Sequence, residues 1–433
     1  MSAAAPPVPS ARRRVLPAWP WAILAVALAL RVVVVLATPG YLPFGDPADY
    51  DRIGRFLEYF GTYPPTTFAD PAGPAALRPP GYPYFLAAVY EVVGVRWTVV
   101  RLIAALLGTV GVLLLWDVVR RLWDVRLAIW TAAVAAVLPS LVWVGGGLTA
   151  ESLFVPLVLG AVWAVVRHRD AGGSALWVLA AGLLLGVAVL TRSNGGILLL
   201  PLLVAAWVPR RRWTDPVVLL LGTVVALTPW TVRNAEAFGA FAPLGTQSGF
   251  TIAGAYNSNA DTGGKYYAAW QLPMDVPALK PLFGRPDLNE AQVDAELRDR
   301  GIAFAKDHPG FVVGATGVHA LQLFHLWPDI DLGSGNSFRE TGVPESLWGE
   351  YTAAFWVFLA LVVAGIVLLV RRHERPGPLW LWAIPVLIVL SVVPLLGPPR
   401  YRIPADPFLA ILAGVALTAL RDRLRSPGLS RPA

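Results

Sequence analysis

The sequence predicts an all-α polytopic membrane protein, and three observations lead to that prediction. Of the 433 residues, 56% are hydrophobic and only 15% are charged, whereas soluble globular domains carry about 25% charged residues. Mean hydropathy is +0.58, and many apolar runs approach the roughly 20 residues that a helix needs to cross a bilayer. The net charge of +7 comes largely from arginine clusters between those runs. Such clusters follow the positive-inside rule, so no nucleic-acid partner is predicted.

Ten apolar runs are the predicted membrane spans. With ten spans, both termini and all the arginine-rich clusters that flank them fall on the cytoplasmic side. The predicted spans are residues 19–37, 98–118, 127–144, 148–166, 175–190, 195–208, 216–230, 351–370, 379–395 and 408–420.

The requirement that all arginine clusters lie on the cytoplasmic side also places two further apolar segments on the external face. Residues 81–94 give about 14 helical residues, or about 21 Å, which is short for a span. Counting this segment, or residues 311–327, as a span would move arginine clusters outside. We therefore expect a transmembrane domain over 19–421 with long external loops at 40–97 and 233–350, and cytoplasmic tails at 1–18 and 422–433.

The first external loop contains an acid-rich amphipathic segment, FGDPADYDRIGRFLEYFG. Its apolar residues recur at helical spacing, as in a helix that lies at a membrane surface. Asp46 begins this helix, with Pro47 at the first helical position and Asp49 where a capping-box partner would stand. Residue chemistry leaves two interpretations open: Asp46 is an N-cap, or it is a functional acid.

Three proline-containing segments offer arginines at the same external boundary. They are LRPPGYP with Arg78, PWTVRN with Arg233, and GPPRYRIP with Arg400 and Arg402. Arginine binds phosphate through paired N–H groups, and proline restricts the backbone that carries it. Each arginine could instead meet a lipid head group. Three such sites on one face favour a shared anionic ligand.

Another acid begins an apolar helix in LTAESLF. An ionisable residue at the depth of Glu151 marks a functional site or needs a partner. The alternative is a helix-start acid beside the capping residue Thr149.

The order of these motifs resembles the C-type membrane glycosyltransferases (the GT-C fold). The resemblance rests on D-x-x-x-Y after the first span, RPPGYPYFL, TAESLF, LTRSNGGILLLP, PWTVRN, FAKDHPG and PRYRIPADPFLAILAG. The resemblance covers most of the chain. It is strongest for the bacterial branch that includes the aminoarabinose transferases and the protein O-mannosyltransferases. It implies about 10 to 12 transmembrane helices with juxtamembrane helices on the external face.

The resemblance also implies roles for individual residues. Asp46 matches the aspartate that activates the acceptor. Pro47 departs from the acidic pair of the protein O-mannosyltransferases, which argues against a protein acceptor. The remaining matched positions are Arg78, Arg233, Arg400, Tyr401 and Arg402 at the donor phosphate, and Tyr50, Tyr82 and Glu151 elsewhere in the site.

We therefore predict an inverting glycosyltransferase of the bacterial plasma membrane. It would move a sugar from a polyprenyl-phosphate donor to an external glycan, lipid or protein acceptor. No cofactor is assigned, and a divalent metal stays open, with His308, His319 and His325 considered as ligands. The alternatives are a transporter or flippase of lipid-linked glycans, which would want the same arginines, and a glycan polymerase or ligase.

Overall fold

The structure is a computed structural model that describes residues 19–68, 73–208, 210–262, 267–327, 335–372 and 377–425. Within these ranges the chain is helical, and its only β-type pairing is an isolated bridge between Pro65 and Pro74. The predicted tail at 1–18, and residues 426–433 of the predicted tail at 422–433, lie outside the described residues.

Seventeen α-helices make up the described chain. In order they are α1 (Trp19–Ala37), α2 (Asp46–Phe60), α3 (Gly81–Val93), α4 (Trp97–Leu122), α5 (Val125–Val137), α6 (Pro139–Trp143), α7 (Glu151–Asp170), α8 (Ala175–Thr191), α9 (Leu199–Trp207), α10 (Thr214–Phe238), α11 (Ser248–Ala255), α12 (Glu290–Asp307), α13 (Pro309–Leu323), α14 (Gly335–Thr341), α15 (Trp348–Arg372), α16 (Leu379–Val392) and α17 (Asp406–Arg425).

The predicted all-α membrane architecture is confirmed. Six of the described helical segments are long and apolar enough to cross a membrane, and four shorter apolar helices accompany them. Together they fall on the ten segments that the sequence predicts as spans, although how many of them cross the bilayer stays a prediction. The two apolar segments assigned to the external face form the shorter helices α3 and α13.

The ends of the long helices divide the molecule into two faces. On one face Arg121, at the end of α4, pairs with Asp170 at the end of α7 over 2.5 Å, and Arg210 donates to the Gly173 carbonyl at 3.4 Å. Helices α7, α8 and α17 run between this face and the opposite one. At the opposite face lie Glu151, Arg192 and Asp406. The arginine-rich ends therefore gather on one face and the candidate site residues on the other.

Small residues bring the helices of the main core into close contact. Helices α8 and α10 meet at Gly182, Gly186 and Gly222. A Cβ at Gly186 would lie 2.5 Å from that of Ala226, so alanine there would force these helices apart. Close backbone approach through small residues is how helices associate where lipid removes the hydrophobic driving force.

Helix α2 packs on α3 by its apolar face. Tyr50, Ile53 and Leu57 are buried there, and Gly54 lets Leu86 of α3 approach, since a Cβ at Gly54 would lie 2.8 Å from the Leu86 Cβ. The face that the sequence assigned to the membrane surface is thus covered by protein. This packing fixes the direction of α2 and with it the position of its first residue.

Candidate active site

The carboxylate of Asp46 lies between two arginines from distant parts of the chain. Nη2 of Arg78 is 2.7 Å from Oδ1, and Nη2 of Arg400 donates to Oδ2. Arg78 also binds Asp49, with 2.8 Å between Nε and Oδ2. The side chains of Asp46 and Arg78 are 19% and 18% exposed, so solvent reaches them, while that of Arg400 is 1% exposed.

The local backbone directs Asp46 toward these arginines and away from its own helix. The N-cap of α2 is Gly45, whose φ of 61° is a left-handed conformation that favours glycine, so the N-cap residue itself has no side chain to cap the helix. Asp46 is the first helical residue, followed by Pro47. The interpretation of Asp46 as an N-cap with Asp49 as its capping-box partner is therefore wrong, because both carboxylates bind arginine.

Hydrogen bonds to the backbone hold the segment that carries Arg78. The Tyr63 hydroxyl donates to the Arg78 carbonyl at 2.7 Å, and Arg233 donates to the Ala75 carbonyl at 2.8 Å. The Ala76 N–H donates to Glu290 at 2.6 Å. The proline-rich segment is thus held from three directions before Arg78 extends toward Asp46.

Arg400 collects three carboxylates from different elements. Besides Asp46, its Nε lies 3.2 Å from Oε1 of Glu151 and its Nη1 lies 2.9 Å from Oε2 of Glu340. Neither of these two contacts has the geometry of a hydrogen bond, so the Nε–H and Nη1–H groups of Arg400 are buried without a hydrogen-bond partner. Three anions around one guanidinium make this a dense electrostatic centre with donor capacity left unused.

Glu151 also pairs with Arg192, which follows α8. The Arg192 guanidinium donates to Oε1 of Glu151 and lies 5.1 Å from the ring centre of Tyr401. Glu151 therefore has two cationic partners, and Thr149 donates to the Val144 carbonyl instead of capping it. The sequence contained Arg192 in LTRSNGGILLLP, but nothing in that motif separated it from a basic residue at a helix end.

Glu340 is a site residue that the sequence analysis missed. It lies in α14, and its Oε1 accepts the Asp46 N–H at 3.3 Å. Two glycine segments make room for it. A Cβ at Gly45 would lie 2.5 Å from Oε1, and a Cβ at Gly147 would overlap the Glu340 carbonyl oxygen. The VGGGLTAE segment was a possible signal, because consecutive glycines indicate a close backbone approach.

The acids of this site have shifted pKa values. Burial alone would raise the pKa of Asp46, but Arg78 and Arg400 outweigh it and hold that pKa well below its ordinary value. For Asp49 the balance is the same, with Arg78 and Arg52 lowering the pKa. Burial raises the pKa of Glu340 to about 7, against the opposing effect of Arg400. Asp46 and Asp49 are therefore ionised at neutral pH, and Glu340 titrates near it.

Tyr50 and Tyr82 form one wall of the site. Their rings meet edge to face with centres 5.3 Å apart, and the Arg78 guanidinium lies 5.5 Å from the Tyr50 ring centre. Burial raises the pKa of both phenols, so both stay neutral. The Tyr50 ring restricts how Arg78 can move, cation–π attraction supports the position of Arg78, and Tyr82 packs against Tyr50.

Two of the predicted phosphate-binding arginines make their contacts elsewhere. Arg402 is bound to Asp406, with 2.9 Å between Nε and Oδ1, and donates to the Leu323 carbonyl. Arg233 supports the Ala75 carbonyl and lies over Trp230. A cavity of about 20 Å³, room for about one water molecule, is lined by Asp49 and Arg78 but by neither Arg233 nor Arg400.

The residues considered as metal ligands do not come together. In the described part of the chain, no three His, Asp or Glu side chains are arranged to hold a metal ion. Both ring nitrogens of His319 lie close to backbone carbonyls, 2.7 Å from Ala268 and 3.1 Å from Val393. The three acids of the site, Asp46, Glu151 and Glu340, surround the guanidinium of Arg400. The residues here therefore fit an arginine-centred site.

Sequence comparison matches part of the chain to a known family. Residues 77–232 match the model of the dolichyl-phosphate-mannose-protein mannosyltransferases. This segment contains Arg78, Glu151 and Arg192, while Asp46, Glu340 and Arg400 lie outside it. No curated protein sequence matches the chain.

Comparison with solved structures confirms the predicted GT-C fold. The archaeal oligosaccharyltransferase AglB from Archaeoglobus fulgidus, solved with an inhibitory peptide and a dolichol-phosphate, has a TM-score of 0.54 at 14% identity. The match covers 96% of this chain and 52% of AglB, so this chain spans about half the length of that relative. ArnT from Cupriavidus metallidurans, bound to undecaprenyl phosphate, is 18% identical with a TM-score of 0.44, and the match covers 93% of this chain and 77% of ArnT.

Proposed function

We propose that this GT-C membrane protein is an inverting glycosyltransferase. It transfers a sugar from a polyprenyl-phosphate donor to the hydroxyl of an extracytoplasmic acceptor. The family-model match and the fold support this class of reaction. The observation that carries the proposal is the chain of ion pairs Arg78–Asp46–Arg400, because it joins one solvent-accessible acid to two guanidiniums.

The chemistry needs these groups for two tasks. The departing polyprenyl phosphate is already an anion, so no general acid is required, and guanidinium groups stabilise the charge that develops on it. Arg78 and Arg400 are proposed for that role. The acceptor hydroxyl needs a base, and Asp46 is proposed as that base. One base acting on an in-line attack inverts the anomeric carbon, unlike the two-carboxylate retaining glycosidases.

The low pKa of Asp46 fits this role once the donor is bound. In the donor-free site both of its oxygens are held by arginine, which keeps the carboxylate ionised but makes it a weak base. A phosphate that takes a share of the same guanidiniums reduces their hold on Asp46. The base thus becomes stronger when the donor arrives, which limits unproductive proton uptake beforehand.

The remaining predicted residues take supporting roles. Arg192 and Glu151 fix the buried side of Arg400, and Tyr50, which packs against Tyr82, restrains Arg78. Arg233 supports the backbone before Arg78, and Arg402 with Asp406 anchors the segment that carries Arg400 and Tyr401.

The test is a reaction of purified protein with a panel of polyprenyl-phosphate sugars and candidate acceptors, analysed by mass. Consumption of one donor, with release of polyprenyl phosphate and a glycosylated product, is the expected result. An Asp46→Asn variant in the same panel shows whether consumption depends on the site. Movement of intact lipid-linked glycan across vesicles without any covalent change would instead identify a transporter.

A further inference from the structure

Glu340 occupies a position where an anion is favoured twice. Its carboxylate lies 2.9 Å from Nη1 of Arg400 and accepts the first backbone N–H of α2, at Asp46, at 3.3 Å. The N-terminus of a helix carries partial positive charge and unpaired N–H groups, and α2 has no side-chain cap of its own. Glu340 therefore supplies from another element the negative charge that this helix start lacks.

The protein is built to hold Glu340 at this position. Gly45, Gly146 and Gly147 leave space that Cβ atoms would fill, and a Cβ at Gly146 would lie 2.7 Å from the Thr341 carbonyl oxygen. The backbone N–H of Arg400 donates to the Ser337 hydroxyl of the same helix at 3.2 Å. The side chain of Glu340 is 14% exposed, so it lies at the opening of the site.

The contact between Glu340 and Arg400 is incomplete. Arg400 is 2% exposed as a residue, yet its Nε and Nη1 have no hydrogen-bond partner despite the three carboxylates around them. A planar carboxylate at this position neutralises charge but leaves donors unused. A phosphate has more oxygens in a tetrahedral arrangement, and arginine binds such groups through paired N–H bonds.

The ion-pair network is balanced before any phosphate arrives. Among the residues that the structure describes, its carboxylates are matched in number by its guanidiniums when all are ionised, so an added phosphate monoanion leaves one negative charge uncompensated. The network consists of Asp46, Asp49, Glu151 and Glu340 with Arg52, Arg78, Arg192 and Arg400.

We propose that Glu340 stands in for the donor phosphate in the donor-free protein, and that the phosphate displaces it from Arg400 and the start of α2 as Glu340 takes up one proton. The proton comes from solvent and no other bond is made or broken in this step. The proposal rests on the proposed function, since it names how that donor site accepts its phosphate. Burial raises the pKa of Glu340 to about 7, so this acid takes up a proton near neutral pH.

Of the other titratable groups near Glu340, three have pKa values far from neutrality. Asp46 has a lowered pKa, and burial raises the pKa of Tyr41, whose hydroxyl lies 3.5 Å from the Glu340 carbonyl oxygen. Burial lowers the pKa of His325, which stacks on Phe338 of α14, to about 3. The remaining charged or titratable groups around Glu340 are Arg400, Tyr401 and Glu151.

The test is binding of a prenyl methyl phosphodiester to the full-length protein in detergent between pH 6 and pH 8.5. This probe has one constant negative charge and no sugar, so neither its own titration nor an incorrect sugar affects the result. For the wild-type protein we expect Kd to rise with pH, by up to about tenfold per pH unit above pH 7, since one proton is taken up. Glu340→Gln should bind tightly with a flat profile.

Matched controls and outcomes separate this proposal from the proposed function. Glu345 follows α14, is exposed, and pairs only weakly with Arg339 at 3.4 Å. Glu345→Gln should therefore keep the wild-type dependence of Kd on pH. A flat wild-type profile, an unchanged profile in Glu340→Gln, or a profile lost in Glu345→Gln overturns the role of Glu340 alone. Folded wild-type and Glu340→Gln proteins that both fail to bind the probe at every pH overturn the proposed function as well.

Discussion

Asp46 and Arg400 are 354 positions apart in the sequence and are joined by a direct hydrogen bond. The first begins a short amphipathic helix after the first apolar helix, and the second lies in the turn Pro399–Ala405 before the last one. Their contact completes the site and exists only in the folded tertiary structure. The predictions below test what depends on this contact and on the residues that hold it in place.

Replacement of the proposed base should abolish transfer without abolishing donor binding. We expect Asp46→Asn to lower kcat by about 10²- to 10⁴-fold, the range that general bases contribute. Prenyl phosphodiester affinity should stay the same or increase, because the anion that competes for Arg78 and Arg400 is removed. Single-turnover transfer and probe binding measure the two effects separately.

The matched control is Asp49→Asn, which removes an acid from the same helix turn. Asp49 contacts Arg78 and Arg52 but is not paired with Arg400. The kcat of Asp49→Asn should fall by less than about tenfold, because Arg78 keeps Asp46 as a partner. Equal losses in both variants would show that Asp46 has no special role as a base.

Substitutions of Arg78 and Arg402 should separate donor binding from stability. Arg78→Lys loses its paired N–H geometry, so we expect the donor KM to rise about tenfold or more with little change in stability. Arg402→Lys should instead lower the free energy of unfolding by about 1.5–3 kcal/mol, because the buried pair with Asp406 loses a charged hydrogen bond. The folded fraction of Arg402→Lys should keep the wild-type donor KM. A raised donor KM in Arg402→Lys would indicate that Arg402 binds the donor phosphate.

Arg233 should act on donor binding through the segment that carries Arg78. Its guanidinium donates to the Ala75 carbonyl in the segment before Arg78. In a double-mutant cycle, Arg233→Gln should lower kcat/KM for the donor in the wild-type background and much less in an Arg78→Lys background. Additive losses would mean that Arg233 contacts the donor independently. Tyr63→Phe, which removes the hydrogen bond to the Arg78 carbonyl, should show the same non-additivity.

Docking of α14 should depend on the glycines before α7. A Cβ at Gly147 would overlap the Glu340 carbonyl oxygen, so Gly147→Ala should cost about 1–3 kcal/mol through overpacking and reduce donor binding. Gly317 in α13 has nothing within 4 Å of an added Cβ and serves as the control. Gly317→Ala should be neutral or slightly stabilising. Thermal unfolding in detergent measures both, and an unaffected Gly147→Ala protein would argue against this close approach.

The raised pKa of Glu340 predicts a pH-dependent stability. Burial raises this pKa from 4.5 to about 7 in the folded protein, so the folded state binds the proton more tightly than the unfolded state. The contribution of Glu340 to stability is therefore fully present below about pH 4.5 and is lost as pH rises toward about 7. The Tm of the wild-type protein should fall relative to that of Glu340→Gln over this window. Parallel Tm curves for the two proteins would contradict the raised pKa.

The sequence by itself determined the helical membrane architecture and the order of its elements. Apolar runs and arginine clusters are local properties, because each helix satisfies its own backbone hydrogen bonds and each loop carries its own charge. For that reason helices form at the ten predicted apolar segments and at the two shorter ones. The same local patterns identified Asp46, Arg78, Glu151 and Arg400 as candidates.

Only the tertiary structure decided which of these groups meet. A capping acid and an acid that pairs with distant arginines look alike in a single sequence; in the structure Gly45 is the N-cap, and Asp46 pairs with Arg78 and Arg400. Arg402 and Arg400 are two positions apart, yet the turn between them sends one side chain to Asp406 and the other to Asp46. Glu340 has no signature in its own segment, because the glycines of VGGGLTAE that make room for it lie nearly 200 residues away. Electrostatic partners are set by distance in space, which depends on how all the helices pack together.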